Sequence, residues 1–161
     1  MDLPFRKLID MPPLWLVLFV AIALAQSVWL PLLPAGPVAR GLGAVVIAVG
    51  VVIFVAASVQ FRKHATTIVP HHDPAAIITS GVYGLSRNPI YLADALVLAG
   101  FALRWDLAGL VLVPVFMAVI ARRFIAPEED RLRRLFPAEF AAWSARTRRW
   151  VSLTLSHEWR L

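Results

Sequence analysis

Residues 41–61, GLGAVVIAVGVVIFVAASVQF, carry no ionisable side chain. A helix rises ~1.5 Å per residue, so this run is long enough to cross ~30 Å of hydrocarbon, and it predicts a membrane span. Residues 14–33, LWLVLFVAIALAQSVWLPLL, have the same character. The whole chain agrees with these two runs, being 60% hydrophobic with a mean hydropathy of +0.73. That is too apolar for an ordinary soluble domain.

Two later runs, 90–103 and 107–121, are shorter and are joined by Arg104-Trp105-Asp106. Each covers ~21–23 Å as a helix, which predicts a hairpin with polar ends or a tip that snorkels through Arg104 and Trp105. The expected fold is all-α: a polytopic membrane helical bundle of about four transmembrane helices, near 14–33, 41–61, 89–104 and 106–124. The first run is read as a retained helix, because its apolar part is long, Pro31 and Pro34 follow it, and no small-residue cleavage pattern is evident. Without a repeat or low-complexity linker, residues 1–161 read as a single domain.

After the last span, Leu132, Phe136, Phe140 and Trp143 recur at helical spacing among Arg131, Arg133, Arg134, Glu139, Arg146, Arg148 and Arg149. This pattern predicts an amphipathic C-terminal helix, restarted at Pro137, over segment 127–161. It either lies in the headgroup plane or folds back over the end of the bundle. Under the four-span arrangement, 14 of the 16 Lys and Arg residues share one side, and only Arg40 and Arg104 lie opposite. The positive-inside rule then places both termini and the loop 62–89 in the cytoplasm. The net charge of +6 reads as topology and attraction to anionic lipid, with no nucleic-acid partner. Cysteine is absent, which excludes disulfides, thiolate metal sites and cysteine nucleophiles.

Polar chemistry is confined to two islands around the last hairpin: Gly81-Val82-Tyr83-Gly84-Leu85-Ser86-Arg87-Asn88-Pro89-Ile90-Tyr91 and Arg123-Phe124-Ile125-Ala126-Pro127-Glu128-Glu129. Gly81 and Gly84 permit positive φ and close approach of a ligand to backbone, and Pro89 starts a helix whose free amides suit an anionic group. Glu128 and Glu129 attract a cationic group, so the islands together fit a zwitterion such as an amino-acid moiety. Glu128 and Glu129 also have a plain reading as acidic residues complementing a helix N-terminus after Pro127. The upstream island favours binding.

Asp94 stands four residues into the third apolar run, where an ionised carboxylate costs several kcal/mol, about 3 by the lower estimates. It is expected to face the bundle interior, either as a substrate-binding or base residue or as a structural hydrogen-bonding group. Arg122 and Arg123 either anchor the helix end to phosphates or hold a carboxylate acceptor. His64, His71, His72 and Asp73 match no metal-ligand spacing and read as an interfacial loop, so no metal is expected.

These residues resemble the small integral-membrane methyltransferases that include isoprenylcysteine carboxyl methyltransferase and the phospholipid methyltransferases. The resemblance spans roughly the C-terminal 90 residues. It rests on Gly81-Val82-Tyr83, Arg87-Asn88-Pro89-Ile90-Tyr91, a hydrophobic hairpin, Glu128-Glu129, Leu132, Phe136-Pro137, Phe140, Trp143 and Arg148-Arg149-Trp150, in that order. It implies a bundle that binds S-adenosylmethionine at its cytoplasmic end and admits a lipophilic substrate from the bilayer. By position, Gly81, Tyr83, Arg87, Asn88, Pro89, Tyr91, Glu128 and Glu129 inherit the cofactor-binding role, and Arg122, Arg123 and Asp94 are the catalytic candidates.

Three departures bear on mechanism. Asn88 stands where the family pattern has His, Pro137 stands where it has Gly, and the arginine before the Glu pair is displaced to Arg122 or Arg123. Asn88 donates and accepts hydrogen bonds but cannot shuttle a proton near neutral pH, so a histidine base at that position is excluded. The resemblance therefore implies S-adenosylmethionine-dependent methyl transfer to a carboxylate, amine or thiol on a lipophilic small molecule or lipid. The alanine- and arginine-rich composition points to a bacterial inner membrane. A non-enzymatic assembly protein that keeps the fold is the alternative, as is a nicotinamide-dependent lipid reductase, although no Gly-x-Gly-x-x-Gly run is present.

Overall fold

The structure is a computed structural model that describes residues 11–63 and 77–152. All its regular elements are helical: α1 Pro12–Trp29, α2 Pro37–Lys63, α3 Val82–Leu85, α4 Pro89–Trp105, a 3-10 turn Leu107–Val111, α5 Leu112–Ile120, a π turn Ala121–Ile125, α6 Ala126–Leu135 and α7 Pro137–Arg146. No strand occurs among the described residues, where Pro34 and Asp106 form an isolated β-bridge.

Three helices are long and apolar enough to cross a membrane: Pro12–Trp29, Pro37–Gln60 and the continuous run Leu107–Leu135. The expected count was about four. The remaining leg, α4, has 17 residues, and eight of them are buried. It is the central helix, packed against α1, α2 and α5. At that length α4 stands at the short end of the range that crosses a bilayer.

Helix ends differ from the expected bounds for local reasons. The first helix stops at Trp29, before Leu33, because Pro31 bars its predecessor Leu30 from the α region. The last leg does not end near residue 124 but continues to Leu135. Pro127 lacks an N–H and its ring crowds the preceding turn, and the π turn Ala121–Ile125 widens the helix just before it. The C-terminal segment is two short helices, α6 and α7, separated at Phe136, whose φ of −133° and ψ of 63° leave the helical region before Pro137 restarts it.

Lipid tails are as apolar as leucine, so helices in a bilayer associate through close packing. The α2–α4 crossing is tight and depends on glycine. A Cβ added to Gly43 would lie 2.6 Å from the Gly100 carbonyl oxygen, and one added to Gly100 would lie 2.7 Å from that of Gly43. A second core, formed by Phe19, Tyr91, Leu98, Phe116, Ile120, Phe124 and Ile125, joins α1, α4 and the last leg.

The two ends of the bundle are tied differently. At one end, the Asp106 carboxylate accepts from the Leu33 amide at 3.0 Å and the Ala108 amide at 2.9 Å, and the Leu107 amide donates to the Leu33 carbonyl at 2.9 Å. These bonds hold the α4 hairpin tip against the loop after α1. Asp106 is buried, and Arg104 lies over the Trp105 ring at 5.5 Å. The opposite end gathers both polar islands.

Candidate active site

The first island begins with Gly81 at φ 59° and ψ −132°, a conformation that L side chains rarely adopt. A Cβ there would also run into the Gln60 side-chain amide of α2. This turn directs the chain into the single helical turn α3, and Asn88 then leads into α4 with Pro89 at its first position. The expected helix start at Pro89 is therefore where α4 begins.

Arg87 and Glu129 meet across the end of the bundle. Arg87 Nη2 lies 2.9 Å from Glu129 Oε1, and Arg149 Nη2 lies 2.5 Å from Glu129 Oε2. Both arginines also donate through Nε to Oε1, each at 3.2 Å. Glu129 is 5% exposed, so its carboxylate is enclosed by two guanidinium groups. The same bonds hold the Arg149 charge, pushing its pKa above the usual arginine value.

Segment 143–152 folds across the first island like a strap. Trp143 Nε1 donates to the Tyr83 carbonyl at 2.8 Å, Arg87 Nη1 to the Thr147 carbonyl at 2.9 Å, and the Ser152 amide to the Leu85 carbonyl at 2.8 Å. The Arg87 amide donates to the Arg148 carbonyl at 3.0 Å. Asn88 Nδ2 donates to the Arg149 carbonyl at 3.1 Å, and Ser86 Oγ reaches the same oxygen at 3.3 Å. Ala57, Ile78, Tyr83, Phe140 and Trp143 form the apolar floor beneath the strap. Of the two expectations for the C-terminal segment, its described part folds back over the end of the bundle.

Glu128 behaves differently from its neighbour. It is exposed, and its Oε2 accepts from the Tyr91 hydroxyl at 3.3 Å. Burial, and then the Glu128 charge, push the Tyr83 hydroxyl above the ordinary tyrosine range, so it stays protonated. Tyr83, Tyr91 and Glu128 thus form one cluster, with Asp94 one helical turn along from Tyr91. Asp94 is 7% exposed, and among the described residues it makes no hydrogen bond.

Arg122 ends an open groove on the outer face of the last leg, lined by Pro114, Val115, Ala118 and Val119. The Arg123 guanidinium sits 5.4 Å from the centre of the Trp15 ring, which places it at the junction with α1. His64, His71, His72 and Asp73 lie outside the described residues.

Glu128 and Arg149 carry the two charges that an amino-acid zwitterion would need. Glu128 has carboxylate capacity beyond its one bond to Tyr91, and Arg149 has Nη1, which makes no hydrogen bond among the described residues. These two groups complement an ammonium and a carboxylate respectively. S-adenosylmethionine carries such a moiety, so the residues present fit it.

Ser86, Thr147, Arg149 and Ser152 were missed as site residues from sequence. Only Arg149 had a signal, the distal arginine pair beside Trp150. The other three are small polar residues, and only their contacts across the fold distinguish them.

Comparison with known proteins bears on this geometry. No curated protein and no solved structure matched the chain. The sequence pattern of the phospholipid methyltransferase family matches residues 38–139, from the start of α2 into α7, and takes in both islands. Spanning more than half of the chain, that match shows that the protein belongs to the phospholipid methyltransferase family.

Proposed function

We propose that the protein transfers the methyl group of S-adenosylmethionine to a lipid-type acceptor at the cytoplasmic face of a bacterial inner membrane. The observation that carries this reading is the pairing of the two islands, with Arg87 on Glu129 and Tyr91 on Glu128. When bound, S-adenosylmethionine supplies an already activated methyl group, so the protein's work is alignment and exclusion of water.

Each residue then has a separate task. Glu128, positioned by Tyr91, accepts from the ammonium of the donor's amino-acid part, and Arg149 holds the carboxylate. Glu129 does not contact the cofactor directly; it fixes Arg87 and Arg149 and so keeps the strap closed. Asn88, Ser86 and Gly81 set the path of the turn. Trp143 and Phe140 supply an apolar wall that keeps water from the reacting atoms.

The positive side of the bundle is the cytoplasmic one by the charge rule, which puts the site where S-adenosylmethionine is made. The test is transfer of an isotopically labelled methyl group from S-adenosylmethionine into bacterial lipid vesicles containing the purified protein. Labelled lipid with wild type and its loss with Glu128→Gln support the reading, whereas wild type that labels no lipid or small acceptor overturns it.

A further inference from the structure

We infer that Arg40 and Arg104 form a binding site for the phosphate of an anionic phospholipid, at the end of the bundle opposite the polar islands and in the leaflet away from them. The site stands apart from the methyltransferase reading and from its acceptor, and it holds whether or not that reading does.

A chain of hydrogen bonds between the α1–α2 loop and the tip of α4 sets both side chains. The Ala35 amide donates to the Trp105 carbonyl at 3.1 Å, Arg40 Nε donates to the Ala35 carbonyl at 2.9 Å, and Arg104 Nη1 donates to the Arg40 carbonyl at 3.3 Å. Gly43 makes room for this. A Cβ there would lie 2.7 Å from Arg104 Cγ, so the stem of that arginine runs against the bare backbone of α2. The Arg104 guanidinium also lies over the Trp105 ring, which is stacked on Phe101 with ring centres 4.9 Å apart. Both guanidinium groups are thus held before any ligand arrives, which lowers the ordering cost of binding.

Their bonds to the protein are all to carbonyl oxygens. Among the described residues neither arginine meets a carboxylate, and Arg40 Nη1 and Nη2 and Arg104 Nε and Nη2 make no hydrogen bond. Asp106, the one acid at this end among the described residues, is buried and engaged by the amides of Leu33 and Ala108. Arg40 also stands in the first turn of α2, which carries no acidic residue and where the helix dipole disfavours a cation. Met11, Lys63, Ile77 and Ser152, which border the described segments, lie at the other end, and α2 alone runs ~40 Å between the two. Two cations are therefore placed together where the described chain supplies no anion.

The surroundings say which anion. Trp29 is 83% exposed and Trp105 42%, with Leu30, Leu32 and Leu33 exposed beside them. Tryptophan rings on an apolar surface mark the headgroup level of a bilayer, so the anion that the two arginines meet there is a lipid phosphate. A choline or ethanolamine headgroup brings its own cation beside that phosphate, and two guanidinium groups repel it. A glycerol headgroup brings none. The partner is accordingly an anionic lipid, which bridges α2 and α4 at their glycine crossing.

The test titrates the purified full chain in detergent with phosphatidylglycerol or phosphatidylcholine of identical tails, and counts retained lipid by native mass spectrometry. Wild type is expected to bind its first phosphatidylglycerol ~10-fold more tightly than phosphatidylcholine, the worth of one added charge-assisted contact. The double variant Arg40→Gln/Arg104→Gln should lose this tightest site. Arg134→Gln/Arg146→Gln, which removes two exposed arginines at the other end, should keep it. Inorganic phosphate at the same concentrations should not displace the lipid. S-adenosylmethionine binding by calorimetry should be unchanged in the Arg40/Arg104 variant, which separates this inference from the methyltransferase reading. Equal binding of the two lipids, a tightest site that survives in Arg40→Gln/Arg104→Gln or is lost in Arg134→Gln/Arg146→Gln, or displacement by free phosphate overturns the inference. If the Arg40/Arg104 double variant does not fold, Arg40→Gln alone decides it: a ~3-fold or greater loss of phosphatidylglycerol affinity supports the site, and no loss overturns it.

Discussion

The Glu129 carboxylate lies between Arg87 and Arg149, with Oε1 2.9 Å from Arg87 Nη2 and Oε2 2.5 Å from Arg149 Nη2. It joins three segments far apart in sequence: the turn before α4, the helix after the π turn, and the strap. Arg87 is 14% exposed at its side chain, so removing Glu129 leaves a poorly solvated cation beside a loosened strap. Glu129→Gln should lower stability in detergent by ~3 kcal/mol, the lower end for breaking one side of a buried pair. Glu128→Gln, on an exposed residue, should change it by less than ~1 kcal/mol. Thermal unfolding of the two variants side by side reads this difference.

Trp143 donates to the Tyr83 carbonyl while its ring fills the floor under the strap. Trp143→Phe removes the donor and keeps much of the ring, so it should cost ~1–2 kcal/mol for a buried carbonyl left unpaired. Trp143→Ala loses the packing as well and should cost ~3–5 kcal/mol. Chemical denaturation of the purified variants orders the two.

Gly81 has positive φ and stands against the Gln60 amide. Gly81→Ala should destabilise by ~1–3 kcal/mol through backbone strain alone. Combining it with Gln60→Ala should relieve the collision but not the strain. A double-mutant comparison of unfolding midpoints therefore recovers only part of the loss.

Burial works against the Asp106 charge, but the amides of Ala108, Leu33 and Leu32 and the Gln26 side chain outweigh it, holding the carboxyl below the usual range. A depressed pKa in the folded protein stabilises it above the unfolded value, near pH ~4, and that stability is lost as pH falls through the lower folded value. Wild type should therefore lose thermal stability on acidification below pH ~4. Asp106→Asn should be less stable at neutral pH and show a shallower acid-side fall. A pH series of melting temperatures checks the sign.

Much of the architecture could be read from the chain. The uncharged runs 41–61 and 14–33 fixed where helices lie, because a single apolar run of this length satisfies its own backbone groups in hydrocarbon only as a helix. The order of Gly81, Arg87, Pro89, Glu128 and Glu129 around one hairpin also implied that the islands meet, and Arg87 and Glu129 do so. Apolar length alone did not reveal that α4 is central, since a 17-residue helix reads as a marginal span until its neighbours are known. Nor did the pattern separate Glu128 from Glu129. Adjacent positions on a helix point ~100° apart, so one faces the two arginines and the other faces Tyr91, and sequence spacing does not say which. The pattern left open whether the C-terminal segment folds back, because the strap's hydrogen bonds run to backbone carbonyls, which any residue can offer.

The most direct test of the account is calorimetric titration of S-adenosylmethionine into the purified protein in detergent, with Glu128→Gln and Arg149→Gln alongside. The account predicts saturable binding to wild type, weakened ~10-fold or more in each variant through loss of a charge-assisted contact. Absence of binding to a folded wild-type protein, or equal affinity in all three, would contradict it.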